Sequence, residues 1–206
     1  MLGLSNELRH GFGSGKIVCG VDEAGRGPLA GPVVAVAIIL PPDLPKHILE
    51  QIDDSKKLSS EQRENLFNPL MRLCRTSIAE ASVVEIDTIN ILQASMLAMA
   101  RAVQGLRLPI DMALIDGNRC PNLFCPAEAI VKGDSKSPSI AAASIIAKVT
   151  RDRMMIKLAG QHDGYGWERN FGYGTPCHLQ ALQTLGCTPW HRTSFAPVRE
   201  AKSKAA

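Results

Sequence analysis

Runs of apolar residues along the chain predict the strands of a sheet. Residues 17–22 and 32–40 are apolar and rich in β-branched side chains, which favours buried strands. A short glycine-rich connection joins these two runs, as expected for an antiparallel hairpin. Residues 76–84 predict a third strand, and the shorter apolar runs at 112–115 and 129–131 predict two more.

Other segments have the periodicity and the capping residues of helices. Ser59 and Gln62 have capping-box spacing, which predicts a helix from about Ser60, and Pro69 is expected to break or kink that helix. Asp87 is predicted to cap a second helix with one apolar face. The residues of that face, three or four positions apart, are Ile89, Leu92, Met96, Met99, Val103 and Leu106.

Two more helices are predicted in the second half of the chain. Ser137, followed by proline, has the N-cap signature of a helix over about 138–158, and the small residues at 141–144 permit close packing on a sheet. After a loop rich in glycine and aromatic residues, a last helix is predicted over 176–185. From Pro197 onward the tail is polar and is predicted to be frayed.

The order of these elements predicts the fold class. Antiparallel strands come first, and strands interleaved with helices follow, which indicates an α/β fold with a mixed central sheet flanked by helices. No linker divides the 206 residues, so we expect a single domain over 1–206, with 160–206 as a small C-terminal helical appendage.

Composition and charge narrow the classes of function. The net charge of +3 is mildly basic, which is compatible with a nucleic-acid partner. Six scattered cysteines have no zinc-site spacing and predict reduced thiols. The first fifteen residues have no apolar signal segment, and the longest apolar run, 33–40, is too short to span a membrane. We therefore expect a cytoplasmic protein.

Acidic residues follow three of the predicted strands. Asp22 and Glu23 end the first strand, and Asp116 and Asp134 follow two later ones. Ligand sites gather at strand ends in α/β sheets, and four clustered carboxylates need cations to offset their repulsion. Oxygen ligands favour Mg²⁺ or Mn²⁺, and two such ions can catalyse phosphodiester hydrolysis. Each acid also has a simpler interpretation as a solvated corner or, for Asp134, a helix cap.

Basic and glycine-rich residues near these acids suit a phosphodiester substrate. Gly25, Arg26 and Gly27 offer backbone N–H groups and a cation within a short segment, although this pattern is also typical of a turn. Lys56, Lys57 and Lys148 are candidate phosphate contacts, although surface lysines are more often simply solvated.

A series of motifs occurs along the chain in a fixed order. They occupy residues 22–33, 54–59, 90–95, 115–117, 133–153, 172–175, 178 and 191–198. Together they resemble the bacterial ribonuclease HII family, a type 2 RNase H, over about residues 16–198. The resemblance implies an RNase H-like fold, monomeric, with a C-terminal helical segment. One departure is Asn170-Phe171, where relatives often carry His-Lys, and it removes a potential phosphate contact.

The family resemblance also implies an activity. It implies two-metal hydrolysis of RNA paired with DNA, and incision 5′ of single ribonucleotides in duplex DNA, leaving 3′-hydroxyl and 5′-phosphate ends. The catalytic and metal-binding acids of the family fall on Asp22, Glu23, Asp116 and Asp134. Substrate contacts fall on Gly25, Arg26 and Gly27, which would read the 2′-hydroxyl, and on Tyr173, which would stack at the RNA–DNA junction.

Other interpretations remain open at this stage. Ribonuclease HIII shares the carboxylates, but Arg26 and the short N-terminus argue against it. A non-catalytic nucleic-acid-binding module would bind hybrids without cleaving them, and a nuclease specific for DNA would have no 2′-hydroxyl to read. His178 and His191 suit a structural or phosphate-side role better than acid–base catalysis. A sliding-clamp contact through the tail is conceivable, although no docking motif is present.

Overall fold

The computed structural model describes residues 2–204, so Met1, Ala205 and Ala206 lie outside it. A five-stranded mixed sheet forms the centre of the fold, with the spatial order β3-β2-β1-β4-β5. The strands are β1 (Val18–Ala24), β2 (Val33–Ile39), β3 (Arg75–Ala81), β4 (Met112–Asp116) and β5 (Ala127–Ile130). Strands β1, β2 and β3 pair antiparallel, whereas β4 is parallel to both β1 and β5. The α/β class and the first hairpin are confirmed.

Helices cover both faces of this sheet and form the C-terminal segment. They are α1 (Ser5–Arg9), α2 (Lys46–Leu49), α3 (Ser60–Leu73), α4 (Val83–Gly105), α5 (Pro138–Ala159), α6 (Trp167–Asn170), α7 (Pro176–Leu185) and α8 (Ala196–Lys204). Alternate residues of β2 face opposite ways, as the pleat requires. Val33, Ala35 and Ala37 pack with α4, whereas Val36 and Ile38 pack with α5.

Helix α5 lies directly against β1, which brings the helix close to the strand that carries two of the candidate acids. A Cβ atom built on Gly20 would come within 2.2 Å of the backbone carbon of Ser139. Glycine at position 20 therefore permits this close approach. Glu7 on α1 completes the junction, because its Oε1 atom accepts hydrogen bonds from the Ser137 and Ser139 side chains at 2.5 and 2.7 Å.

Two predicted element boundaries are wrong. Strand β3 ends at Ala81 rather than at 84, because Ser82 and Glu85 form a capping box that starts α4. Asp87 is therefore not the cap of that helix. A non-helical residue, Asn90, interrupts α4, and its side chain accepts hydrogen bonds from the Leu92 and Gln93 amides, so it caps the continuing helix.

The structure excludes a break at Pro69 and corrects the prediction for the tail. Helix α3 continues past Pro69 to Leu73, so the helix is not broken there. The segment from Pro197 is not frayed up to Lys204: it forms α8, and Val198 is fully buried against Leu29 and Leu182. The prediction of a frayed tail at 205 and 206 lies outside the described residues.

Within residues 2–204, one helix is long and apolar enough to cross a membrane by length and composition alone, namely α4. Its buried side chains, including Ala94, Ala98 and Met99, pack on the sheet in the same cluster as Val21 and Ile115. In this fold, the apolar face of α4 is a core face.

Candidate active site

Parallel pairing of β1 and β4 brings the first acids together. Val21 pairs with Ile115, so Asp22 and Asp116 follow at the same end of adjacent strands. Asp22 is 6% exposed, and its Oδ1 atom accepts a hydrogen bond from the Glu23 amide at 2.7 Å. Asp116 Oδ1 accepts from the Gly133 amide at 2.7 Å, which ties β4 to the segment that carries Asp134.

Asp134 completes the group from a short 3₁₀ helix, Gly133–Ser135, between β5 and α5. Its carboxylate is 4% exposed and accepts a hydrogen bond from Lys56 Nζ at 2.8 Å. The four acids therefore come from β1, from the end of β4 and from this 3₁₀ helix, at one end of the sheet. We name Asp22, Glu23, Asp116 and Asp134 the acidic cluster.

Burial of this cluster has a direct electrostatic consequence. Desolvation raises the pKa of Asp22 well above its ordinary value, and the charges of Glu23 and Asp116 add to that effect. Desolvation also raises the pKa of Glu23, as does Asp116, although Arg26 opposes them. The pKa of Asp116 is raised by burial first and by Asp134 second. The cluster therefore holds negative charge at a cost that a bound cation would relieve.

The donor atoms of the cluster fit a hard divalent cation. All four side chains offer oxygen, and Glu23 Oε2 is buried without a hydrogen-bond partner. In residues 2–204, however, no three His, Cys, Asp or Glu side chains stand close enough together to hold a metal ion as they are. The ligand chemistry fits Mg²⁺ or Mn²⁺, and the carboxylates would have to draw together around the ion.

Side chains already supply part of the positive charge that the cluster needs. Lys56 contacts Asp134, and Arg26 Nη1 lies 3.3 Å from Glu23 Oε1. The hydrogen bond to Asp134 raises the pKa of Lys56. Because the side chains of Lys56 and Arg26 are 80% and 51% exposed, each can swing away without exposing buried surface.

The cluster opens into a cavity of about 290 Å³ that also receives the predicted substrate contacts. Every predicted site residue lines it except Asp134, which reaches it through Lys56. The lining residues that were predicted are Asp22, Glu23, Gly25, Arg26, Gly27, Lys56, Asp116, Lys148 and Tyr173. The neighbouring Lys57 instead pairs with Asp53, at 3.2 Å. The structure thus gathers in one concave surface residues that are up to 151 positions apart in sequence.

Two further segments contribute residues to the wall of the cavity. We name residues 25–32 the glycine loop and residues 171–174 the tyrosine turn. Gly25 has φ +99°, and a Cβ atom there would come within 2.0 Å of Arg151 Nε, so a larger residue would clash. A Cβ atom on Gly27 would lie 3.4 Å from the Tyr173 ring, so the loop faces the turn directly. Tyr173 is 47% exposed and available to a ligand.

Several cavity residues were missed by sequence reasoning. Arg63 on α3 lines the cavity and donates to the Ser55 carbonyl at 2.8 Å, and the hydroxyls of Ser55 and Ser144 are joined at 2.6 Å. Arg151 also lines it. An arginine or serine within a helix has no local sequence signal for a site, because only tertiary packing brings it to the cavity.

The two histidines considered for phosphate contact are buried. His178 is 0% exposed and His191 is 1% exposed, and their Nε2 atoms lie 3.0 Å apart. Neither can reach a phosphate from the cavity. Their position favours the structural role over the phosphate-side role.

Comparison with known families decides the identity of the fold. The family model for ribonuclease HII matches residues 19–198. The chain belongs to the ribonuclease HII family. A ribonuclease HII from Paramagnetospirillum magneticum is 58% identical over 190 residues, covering 92% of this chain and 94% of the relative. A ribonuclease HII from Rhodospirillum rubrum is 57% identical over 192 residues, covering 92% of this chain and 88% of the relative.

Solved structures agree with the assignment. The ribonuclease H2 of Pyrococcus horikoshii has a TM-score of 0.77 at 28% identity, over 91% of this chain and 98% of that one. Ribonuclease HII from Archaeoglobus fulgidus, solved in a complex with PCNA, has a TM-score of 0.72 at 27% identity. The match covers 87% of this chain and 95% of that one. A ribonuclease HIII solved with Mn²⁺ shares the fold, with a TM-score of 0.76 at 18% identity. The match covers 92% of this chain and 70% of that one.

Family membership settles the class of reaction. The chain is a ribonuclease H of type HII, a hydrolase that cleaves within RNA/DNA hybrids, and enzymes of this family are metal-dependent. The expected RNase H-like fold is confirmed. The alternatives of ribonuclease HIII, of a non-catalytic module and of a nuclease specific for DNA are thereby set aside.

Proposed function

We propose that this ribonuclease HII also incises duplex DNA on the 5′ side of a single embedded ribonucleotide, leaving 3′-hydroxyl and 5′-phosphate ends. One observation carries the proposal: three acids of the cluster, the Gly25–Gly27 segment and Tyr173 line a single cavity. A surface that must recognise one 2′-hydroxyl and cut beside it needs polar backbone, a stacking ring and hydrolytic groups within one nucleotide of each other.

The acidic cluster is the proposed metal site. Asp22, Glu23, Asp116 and Asp134 would hold two Mg²⁺ or Mn²⁺ ions, which would activate the attacking water and stabilise the leaving oxygen when bound. The raised pKa values of Asp22, Glu23 and Asp116 and the unpartnered Glu23 Oε2 atom support this role.

The remaining cavity residues would bind and orient the substrate. The Gly25 and Gly27 backbone and the Arg26 side chain would contact the 2′-hydroxyl and its phosphate, while the half-exposed Tyr173 ring would stack on the sugar that follows the ribonucleotide. Lys56 and Lys148 would contact phosphates on either side. Lys148 is already oriented, because its Nζ atom lies 2.8 Å from Asp152 Oδ1 and 4.7 Å from the centre of the Phe171 ring.

The test is cleavage of a labelled DNA duplex that carries one ribonucleotide, measured with Mg²⁺ or Mn²⁺ and with EDTA. The comparison substrates are an all-DNA duplex and an all-RNA strand paired with DNA. We expect metal-dependent incision 5′ of the ribonucleotide and no cut in the all-DNA duplex. Cleavage of the hybrid alone would refute the proposal without affecting the assignment as a ribonuclease H.

A sliding-clamp contact is a second, independent proposal. Its support is the Archaeoglobus fulgidus ribonuclease HII solved with PCNA, which is 27% identical to this chain. Helix α8 occupies the C-terminal segment through which such a contact was considered, although that segment carries no docking motif. Size-exclusion chromatography of the chain with a purified bacterial sliding clamp would show co-elution if the contact exists, and separate elution would exclude a stable one.

A further inference from the structure

Two buried arginines join the substrate-facing segments of the cavity from behind. Arg192 is 0% exposed and Arg151 is 2% exposed. Arg192 donates to four carbonyls of the glycine loop, at 2.6 to 3.2 Å; the acceptors are Gly25, Arg26, Gly31 and Pro32. Arg151 donates to Ala30 and Pro32 at 2.9 and 3.1 Å, and to Phe171 of the tyrosine turn at 3.0 Å.

These contacts are unusual because they involve no carboxylate. Within the described residues, all seven hydrogen bonds of the two guanidinium groups go to backbone carbonyls. Desolvation, followed by the charge of Arg151, lowers the pKa of Arg192 to about 9, which still leaves it protonated at neutral pH. A planar guanidinium with five donors fixes several carbonyls at once, which a lysine cannot do.

A histidine pair holds the tyrosine turn from its other side. His191 Nδ1 accepts from the Thr188 amide at 2.9 Å, so its proton is on Nε2, which donates to His178 Nε2 at 3.0 Å. His178 Nδ1 then carries a proton and donates to the Tyr173 carbonyl at 2.9 Å. Burial lowers the pKa of His191 to about 4, with His178 as the next cause, so the pair is neutral at pH 7.

Arg192 and His191 are adjacent in sequence. One short segment therefore holds the glycine loop through Arg192 and the tyrosine turn through His191 and His178. The same segment pairs with the glycine loop through its backbone, because the Arg192 amide donates to the Leu29 carbonyl at 2.9 Å. The loop and the turn also meet directly, since the Leu29 amide donates to the Gly172 carbonyl at 2.7 Å.

We propose that Arg192 and Arg151 are positioning residues that set the spacing between the Gly25–Gly27 backbone and the Tyr173 ring, and thereby the preference of the enzyme for an RNA–DNA junction. Because both side chains are almost fully buried, they would act on the substrate through the glycine loop and the tyrosine turn. The inference rests on the proposed incision at single ribonucleotides. An error of about 1 Å in such spacing is enough to slow a positioned reaction about a hundredfold.

The experiment compares two substrates in wild type and in Arg192→Lys. The substrates are a duplex with one ribonucleotide and an all-RNA strand paired with DNA, and kcat and KM are measured on each. Lysine keeps the charge but loses the planar fork, so we expect kcat/KM on the single ribonucleotide to fall about tenfold more than on the hybrid. The matched control is Arg75→Lys, whose arginine donates to the Leu106 carbonyl away from the cavity and should leave the ratio unchanged.

A second variant guards against a simple loss of folding. If circular dichroism shows that Arg192→Lys is unfolded, Arg151→Lys is tested in its place, since all four hydrogen bonds of Arg192 can remain. Three outcomes would overturn the inference in favour of a purely structural role. They are an equal loss of kcat/KM on both substrates, an unchanged ratio of the two kcat/KM values in a folded variant, and unfolding of both variants. If wild type itself fails to incise at a single ribonucleotide, the proposed function is refuted instead.

Discussion

The acidic cluster and the arginine pair, Arg151 and Arg192, are two groups of charged side chains near one cavity, the first negative and the second positive, and their charges are compensated differently. Within residues 2–204, the seven hydrogen bonds of the two guanidinium groups all go to backbone carbonyls. Burial raises the pKa values of Asp22, Glu23 and Asp116, and Glu23 has an oxygen without a hydrogen-bond partner. The charge of the first group is satisfied within the protein, whereas the charge of the second would be offset by a bound cation.

This difference separates two uses of buried charge. A charge that the backbone satisfies fixes the position of loops and contributes no chemistry of its own. A cluster that the protein leaves unsatisfied stores repulsion, which a ligand of opposite charge relieves. Four predictions test the contrast, from the largest expected effect to the smallest.

Substitution of one cluster acid should have the largest effect. Asp116→Asn removes a ligand charge but almost no volume, so we expect hybrid cleavage to fall to the level seen with EDTA while the far-UV circular dichroism is unchanged. In wild type, Mn²⁺ should also raise the melting temperature, and Asp116→Asn should lose most of that increase. Retained cleavage would remove Asp116 from the metal site.

Substitution of Gly25 within the glycine loop should lower the stability of the fold. Gly25→Ala places a Cβ atom within 2.0 Å of Arg151 Nε at a positive φ, so we expect a loss of about 2–3 kcal/mol in the free energy of unfolding, measured by urea denaturation. Gly27→Ala is the matched control: its Cβ atom would meet only the Tyr173 ring, at 3.4 Å, and should change stability by less than about 1 kcal/mol. Equal losses would show that Arg151 does not constrain the loop.

Loss of the exposed ring should act on recognition alone. Because Tyr173 is 47% exposed, Tyr173→Ala should leave the fold intact while slowing incision at a single ribonucleotide about tenfold, the usual worth of one stacking contact. Tyr173→Phe keeps the ring and should retain most of the rate. An equal loss on junction and hybrid substrates would contradict a role in sensing the junction.

The smallest effect concerns pH. The raised pKa of Asp116 means that the folded chain binds protons more tightly than the unfolded chain does, so the metal-free stability contributed by this group falls as pH rises above the usual carboxyl range. Asp116→Asn removes that penalty. In EDTA we therefore expect the variant to melt about 2–4 °C above wild type at about pH 8, with the gap closing toward about pH 5. The buried histidines titrate alike in both proteins and cancel, so a gap that widened at low pH would contradict the assignment.

Local patterns predicted much of the fold, for identifiable reasons. The buried runs that became β1 and β2 are continuous and β-branched, and the capping box at Ser59 begins α3 as predicted. The boundary between β3 and α4 was missed because Ser82 lies inside an apolar run whose β-propensity masks its capping role. Helix α8 was missed because its polar sequence gives no signal, and it is held by one buried side chain, Val198.

Some residues of the candidate site could likewise be inferred from the sequence, and others could not. Asp22, Glu23 and Asp116 follow apolar strands, so their common edge could be inferred from sequence once a parallel sheet was assumed. Arg151 and Arg192 could not, because an arginine in a helix or a loop is usually solvated. Their role depends on carbonyls of residues as distant in sequence as Gly25, which only the folded chain brings within reach.

The arginine pair holds carbonyl groups, which every residue type possesses, and this has a consequence for redesign. The side chains of Arg26 and Leu29 do not take part in the hydrogen bonds that hold the glycine loop in place. A library that varies Arg26 should therefore change which sugar or phosphate the enzyme accepts without altering the course of the loop. Side chains on the glycine loop can therefore be varied without changing the arginine–carbonyl contacts that fix its backbone.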